Sequence, residues 1–351
     1  MNNDVMISAH ELSKQYGSFR ALDKVTFDVQ RGEVVGFLGP NGAGKSTTMR
    51  ILTCFIAPTG GSATVNGFDL FDNSLEVRQS LGYLPQRAPL YLELSVLEYL
   101  RFAADLRQLD ASVFRSRAKM VVEVCGLAKV LGKEIRHLSH GYRQRVGLAQ
   151  ALIHDPPILI LDEPTIDLDP NEKAEFLDYL KHIGKDRTVM LSTHNLAEVE
   201  SACARAIIVS SGRIVADGSL DEIRGRSGKV RYFVTLEGDL QAAEIIEAMS
   251  AIPGVTSVSQ LAAKGKALSF ELAGAEDSDL RSEISTLILQ RKWMLLELRR
   301  DAQTLEDVFR ALTVGDARRN RKLGPATDVS DADDDDDEDD DDEAAPKQAS
   351  P

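Results

Sequence analysis

Gly39-Pro40-Asn41-Gly42-Ala43-Gly44-Lys45-Ser46-Thr47 fits G-x-x-x-x-G-K-[ST], a spacing that binds phosphate. Its glycines let backbone N–H groups curl round an anion without Cβ clashes, and a following helix N-terminus adds partial positive charge. Lys45 supplies charge for the terminal phosphates, and the Ser46 hydroxyl suits a Mg²⁺ shell. Two carboxylates, Asp162 and Glu163, close the apolar run Ile158-Leu159-Ile160-Leu161. Beside a phosphate loop, Asp162 is placed to hold Mg²⁺ and Glu163 to polarise a water. His194 closes a third run, Thr188-Val189-Met190-Leu191-Ser192-Thr193, and a histidine at such a strand end faces the phosphates.

These groups need elements to carry them. Val34 to Leu38 is a buried apolar strand before the loop, and Thr48 to Cys54 a helix after it, with Met49, Ile51 and Leu52 inward. Val5–Gln15 and Ala21–Val29 alternate as edge strands of an antiparallel flap. Ser62–Phe68 is a strand with Asn66-Gly67 as a turn, Asn73–Gln79 a short helix, and Leu81–Leu84 a strand stopped by Pro85. Leu94–Leu109 and Ser112–Leu127 form a helical insert. The first is capped by Ser95, with Val96, Leu97, Leu100 and Phe102 among its apolar positions. Ser139 caps a further helix that reaches about His154. The four apolar residues 158–161 imply a strand covered on both faces, as in a parallel sheet. Ala206–Ser210 and Arg213–Asp217 form a closing hairpin.

The chain has 351 residues, room for two ordinary domains. Its net charge of −14 is misleading, because Asp331–Glu343 holds twelve acids and one alanine. The remainder is nearly neutral and offers no broad basic field for nucleic acid. Cys54, Cys125 and Cys203 are scattered and odd in number, which suits a reducing cytosol rather than a disulfide framework or metal cluster. The first residues lack a signal peptide's basic and apolar regions, and no apolar run approaches the ~20 residues of a membrane helix. A soluble cytosolic protein is expected.

Taken together, the motifs from Val5 to Ile223 resemble the ATP-binding subunit of ABC transporters. The resemblance implies a P-loop NTPase α/β fold, with ATP and Mg²⁺ as cofactors. Tyr16 resembles the adenine-stacking aromatic, and Gly39–Thr47 the Walker A loop. Gln86 resembles the Q-loop glutamine that contacts Mg²⁺ and water and senses a transmembrane partner. Leu138–Tyr142 resembles the family signature, in which Ser139 and Gly141 hold the γ-phosphate of the other protomer's site. Asp162 and Glu163 look like the Walker B aspartate and the catalytic glutamate. Asp169 falls in the D-loop, and His194 looks like the switch histidine. The usual signature is L-S-G-G-Q, and His140 and Tyr142 depart from it. The form here is similar to the L-S-K-G-Y subgroup, which includes gliding-motility and ABC-2-type exporter ATPases. Asp167 stands where glycine is common.

The implied partners are a second ATPase subunit, identical or paired, and a separate polytopic membrane permease. The implied location is cytoplasmic, peripheral at the inner face of the cell membrane. Leu81–Leu92, with Leu90 and Tyr91, would dock the permease. The alternative is a non-transport ABC ATPase acting on ribosome or nucleic acid. Lys45 and Ser139 are only 94 residues apart, too close for an inserted coiled coil, and only one ATPase unit is present.

From Gly225 the pattern changes. Strands at Lys229–Thr235, Val255–Gln260, Ala267–Leu272 and Trp293–Arg299 alternate with helices at Leu240–Met249 and Asp279–Gln290, followed by a helix Leu305–Leu312. The order suggests a small ferredoxin-like α+β module. The expected domains are 1–224 for nucleotide binding, 225–314 for the module and 315–351 for a disordered tail, basic at Arg318–Lys322 and then acidic.

Overall fold

The computed structural model describes residues 4–166, 168–225, 229–238, 241–261, 267–275, 279–301 and 305–320. Asp167 and the tail from residue 321, with its acidic run, lie outside the described residues. The chain opens with β1 (Val5–Tyr16) and β2 (Phe19–Gln30), paired antiparallel. β3 (Val34–Leu38) leads through the glycine loop into α1 (Lys45–Leu52), which starts three residues before the expected helix. β4 (Gly60–Val65) and β5 (Phe68–Asp69) follow, joined by Asn66 and Gly67 at φ 53 and 79, as a two-residue hairpin requires. These strands form an antiparallel sheet in the order β2-β1-β4-β5. β1 is therefore an interior strand and not the edge strand expected. Alternation reports which face is buried, not which side is paired.

Next come α2 (Ser74–Ser80), β6 (Leu81–Leu84), α3 (Val96–Leu106) and α4 (Ala111–Val124). Ser95 caps α3 as expected, in a reciprocal box with Glu98. Val96 and Leu100 are fully buried, but Leu97 and Phe102 are 47% and 37% exposed. The apolar stripe of α3 is thus narrower than its composition, and the outward residues are left on the surface.

α5 (His140–Leu152) precedes β7 (Ile158–Asp162), α6 (Pro170–Ile183), β8 (Thr188–Thr193), α7 (Leu196–Ala202), β9 (Arg205–Ser210), β10 (Arg213–Ser219) and α8 (Leu220–Gly225). The second sheet has the order β10-β9-β3-β8-β7-β6, parallel except for β10. Every residue of β7 and β8 is buried, as a strand covered on both faces demands. Apolar side chains of β3, β7 and β8 alternate between two cores, Phe37 and Ile160 on one side, Leu38 and Leu161 on the other. The carboxyl ends of β3, β7 and β8 meet at one edge, where open parallel sheets carry their sites. The α6 and α7 helices lie outside the elements expected from the sequence, although Asp169 as N-cap with Pro170 behind it is a start signal for α6.

The last unit holds β11 (Lys229–Glu237), α9 (Ala242–Ser250), β12 (Val255–Gln260), β13 (Ala267–Ala275), α10 (Arg281–Arg291) and β14 (Met294–Asp301). Its antiparallel sheet runs β12-β13-β11-β14 over a separate core containing Tyr232, Phe270, Ile245 and Ile284. The buried Tyr232 hydroxyl accepts a hydrogen bond from Leu280 N at 3.0 Å. α11 (Leu305–Asn320) continues beyond the expected end at Leu312. Leu305 and Val308 on it are buried in the same core as Val199 and Ile208.

Candidate nucleotide-binding and hydrolysis site

The loop after β3 is shaped by close backbone approach. A Cβ on Gly39 would stand 2.4 Å from the Val209 carbonyl oxygen. Gly44 has φ +103, and a Cβ there would meet Leu22 and the Ala21 carbonyl at 2.6 and 2.7 Å. Gly212 N, in the β9–β10 turn, donates to the Ala43 carbonyl at 3.0 Å. The loop is thus clamped between β2 and the β9–β10 turn. The N–H groups of Lys45, Ser46 and Thr47 begin α1 and have no acceptor within it, so they can receive an anion.

Lys45 is buried, and its Nζ donates to the carbonyls of Gly39 at 2.9 Å and Pro40 at 3.2 Å. It also pairs with Glu163 Oε1 at 3.0 Å. The other Glu163 oxygen lies 2.7 Å from His194 Nδ1. Glu163 sits at φ +46, an unfavourable conformation for a side chain with a Cβ, and its N–H donates to the Ser192 carbonyl at 3.0 Å. Ser192 Oγ donates to Asp162 Oδ1 at 2.8 Å. Burial pushes the Asp162 carboxyl above its ordinary range, against the opposing hydrogen bonds from Ser192 and Ser46.

Asp162 and the Ser46 hydroxyl are hard oxygen donors in mutual contact, and a divalent cation there would offset the burial of the carboxylate. Among the described residues no cluster of three or more His, Cys, Asp or Glu is arranged to hold a metal. A Mg²⁺ completed by phosphate oxygens and water fits this sparse donor set. When bound, it would neutralise charge on the transferred phosphate.

Asp162, Glu163, His194, Lys45 and Ser46 therefore converge, with Gly39, Pro40, Ala43 and Gly44 behind them. Asn41 and Gly42 form the exposed crest of the loop, and Thr47 lies in the first turn of α1. Tyr16 stands apart, 43% exposed, with Lys14 Nζ 5.0 Å from its ring. The Gln86 side chain is exposed, and its carbonyl accepts from Gln144 Nε2 of α5 at 3.1 Å. Ser139 caps α5 by accepting from Tyr142 N at 3.4 Å, and Gly141 lies where a Cβ would meet the Glu172 carboxylate at 2.3 Å. Neither Ser139 nor Gly141 joins the Lys45–Glu163 group. Asp169 caps α6, accepting from Glu172 N at 2.8 Å.

Sequence reasoning missed Ser192, Thr193 and Glu198. Thr193 Oγ1 donates to Glu198 Oε2 at 2.6 Å and accepts from Asn195 N at 3.0 Å. Asn195 Nδ2 reaches Glu198 Oε1 at 3.3 Å, so the turn carrying His194 is held from both sides. The available signal was hydroxyls interrupting an apolar strand at its last two positions.

The profile of the family described as "ABC transporter" matches residues 22–166. The chain is 35% identical over 323 residues to the daunorubicin resistance ATP-binding protein DrrA3 of Streptomyces coeruleorubidus, covering 90% of this chain and 98% of that protein. It is 40% identical over 225 residues to the probable multidrug ABC transporter ATP-binding protein YbhF of Escherichia coli. That match covers 64% of this chain and 39% of YbhF, so the chain spans well under half of that relative. A solved ATP-binding subunit of an ABC transporter is 35% identical with a TM-score of 0.59, covering 64% of this chain and 93% of that one. The dimeric ATP-binding cassette MJ0796, in a post-hydrolysis state with ADP and Pi, is 26% identical with a TM-score of 0.56, covering 61% and 99%.

Proposed function

The chain belongs to the ATP-binding subunits of ABC transporters, an ATP-hydrolysing family, and we propose that it pairs around ATP to drive a separate ABC-2-type membrane exporter. The observation that carries this is Glu163, held between Lys45 and His194 at the end of a buried parallel strand beside the phosphate loop. Lys45 and the loop N–H groups bind the β- and γ-phosphates, with Tyr16 against the base. Ser46, Asp162 and Gln86 serve the Mg²⁺. Glu163 takes the proton of the attacking water or orients it, and His194 fixes the carboxylate. Ser139, exposed at the start of α5, and Gly141, buried in its first turn beneath the Glu172 carboxylate, act on the γ-phosphate bound by a second chain. The two phosphate-contacting surfaces then meet only in a dimer, and hydrolysis removes what holds it closed.

No helix among the described residues is long and apolar enough to cross a membrane. The permease is a separate polytopic chain, and this subunit works at the cytoplasmic face through it. The exposed group Tyr91, Leu97 and Phe102 supports the region after Pro85 as the docking surface. Tyr91 and Phe102 pack edge to face at 5.1 Å while remaining 54% and 37% exposed. The relatives named for daunorubicin resistance and multidrug transport support export as the direction. We assign 1–224 to the ATP-binding domain, 225–314 to an accessory ferredoxin-like module and 315–351 to a tail, with α11 crossing the last boundary and packing its Leu305 and Val308 into the core of the first domain. The β-α-β-β-α-β order and the sheet order β12-β13-β11-β14 support the second assignment.

The test is affinity purification of a Glu163→Gln variant from gently solubilised membranes in the presence of ATP and Mg²⁺. A stoichiometric polytopic membrane protein is the expected companion. Ribosomal or nucleic-acid-processing partners, with nothing from the membrane, would overturn the transport reading in favour of a non-transport ATPase.

A further inference from the structure

The two edges of the C-terminal sheet differ in character. β12 presents Thr256, Ser257, Ser259 and Gln260, which are uncharged and polar. β14 exposes Met294, Leu295 and Leu296 at 61%, 39% and 50%, and among the described strands it pairs only with β11. Its outer side therefore carries a row of main-chain donors and acceptors without a strand neighbour, next to apolar side chains.

Charge then selects what can pair there. Residues 297–301 lie in regular register with β11, while Leu296 is bulged out between Glu297 and Leu295. Glu297 and Arg299 lie opposite Thr235 and Phe233 on the open face, and Leu298 lies opposite the buried Val234. The Arg299 guanidinium rests 5.0 Å over the Phe233 ring, which holds it on that face. Two antiparallel copies related by a two-fold axis through the sheet set each residue opposite one on its own face. An axis at Glu297, Arg299, Arg300 or Asp301 would place a charge against its own copy. An axis at Leu298 places leucine against leucine and makes two Glu297–Arg299 pairs. Residues 297–299 are self-complementary in that one register, which brings Arg300 and Asp301 to the partner's bulge at Leu295 and Leu296.

We propose that β14 pairs antiparallel with β14 of a second copy of this chain, about a two-fold axis at Leu298, joining two four-stranded sheets into one. The edge is short, and its contact buries less than the ~1,600 Å² of an ordinary stable interface, so association is weak and concentration-dependent. It needs no nucleotide, which separates it from the ATP-bridged pairing proposed above. It would keep two chains in reach of each other when the nucleotide-dependent contact opens.

Sedimentation of the full chain without nucleotide, over a broad concentration range, tests this. The expected result is a reversible monomer–dimer equilibrium. Glu297→Arg or Arg299→Glu alone should weaken it about tenfold or more, because each sets like charges opposite one another. An equimolar mixture of the two variants should associate again, since every cross-strand pair is then Arg with Glu. Recovery in the mixture also shows that neither variant is misfolded. A wild-type chain that stays monomeric without nucleotide, or a mixture that fails to recover, overturns the proposal whatever happens with ATP.

Discussion

Lys45 and Glu163 form a 3.0 Å ion pair with side chains only 5% and 8% exposed. The lysine is further held by two loop carbonyls, so a phosphate entering the loop competes with Glu163 for the same ammonium group. We expect Glu163, once displaced from Lys45, to keep its contact with His194 and to become available to water. Binding and catalysis would then be coupled through one side chain.

Replacing Lys45 by Met tests that coupling. It leaves Glu163 buried with His194 as its remaining ionisable partner, and breaking a buried pair from one side is costly. We expect the nucleotide-free protein to lose about 3–5 kcal/mol, read by urea unfolding, and ATP-analogue affinity to fall at least about tenfold. Unchanged stability would mean that the pair carries no net energy in the folded chain.

Glu163→Gln keeps size and one hydrogen-bond acceptor but cannot take a proton. ATP turnover should fall by about 10²–10⁴-fold while ATP binding persists, measured by phosphate release and by equilibrium titration. Turnover within a few-fold of wild type would remove Glu163 from the reaction.

Gly39→Ala adds a methyl group 2.4 Å from the Val209 carbonyl, which is backbone and cannot swing away. The loop has to shift, at a cost of about 1–3 kcal/mol in overpacking, with weaker nucleotide binding as the larger effect. A crystal structure of the variant with the loop unmoved would contradict the clamp described above.

His154 supplies a pH dependence away from the site. Its Nε2 donates to the Leu81 carbonyl at 3.0 Å, and its Nδ1 is buried without a hydrogen-bond partner. Burial, and then the positive charge of Arg107, hold the imidazole at about 4, below its ordinary 6.5. The unfolded chain takes up a proton as pH falls through about 6.5, and the folded chain does so only near 4. Stability is therefore full above that window and is lost as pH falls across it. Between pH 7 and 5 the loss should be about 2 kcal/mol, and His154→Gln should flatten the profile. Equal slopes for wild type and variant would assign the acid sensitivity to other groups.

Much of the candidate site is legible in the sequence, because phosphate chemistry ties residue types to short local spacings. The G-x-x-x-x-G-K-[ST] run, the acids ending 158–161 and the histidine ending 188–193 are each positioned by one strand and its turn. Periodicity likewise marks the parallel strands. What lay outside it was contact between distant segments. Only folding brings Ser192 to Asp162, Gly212 to Ala43 and Gln144 to Gln86, across separations of 30, 169 and 58 residues. Nor could alternation decide that β1 is interior, that Leu97 and Phe102 face outward, or that Met294–Leu296 lie on the strand that ends the sheet among the described residues. Local sequence determines which groups exist and which face they share. Pairing and burial depend on which distant surface arrives to cover them, and that was decided by the tertiary structure.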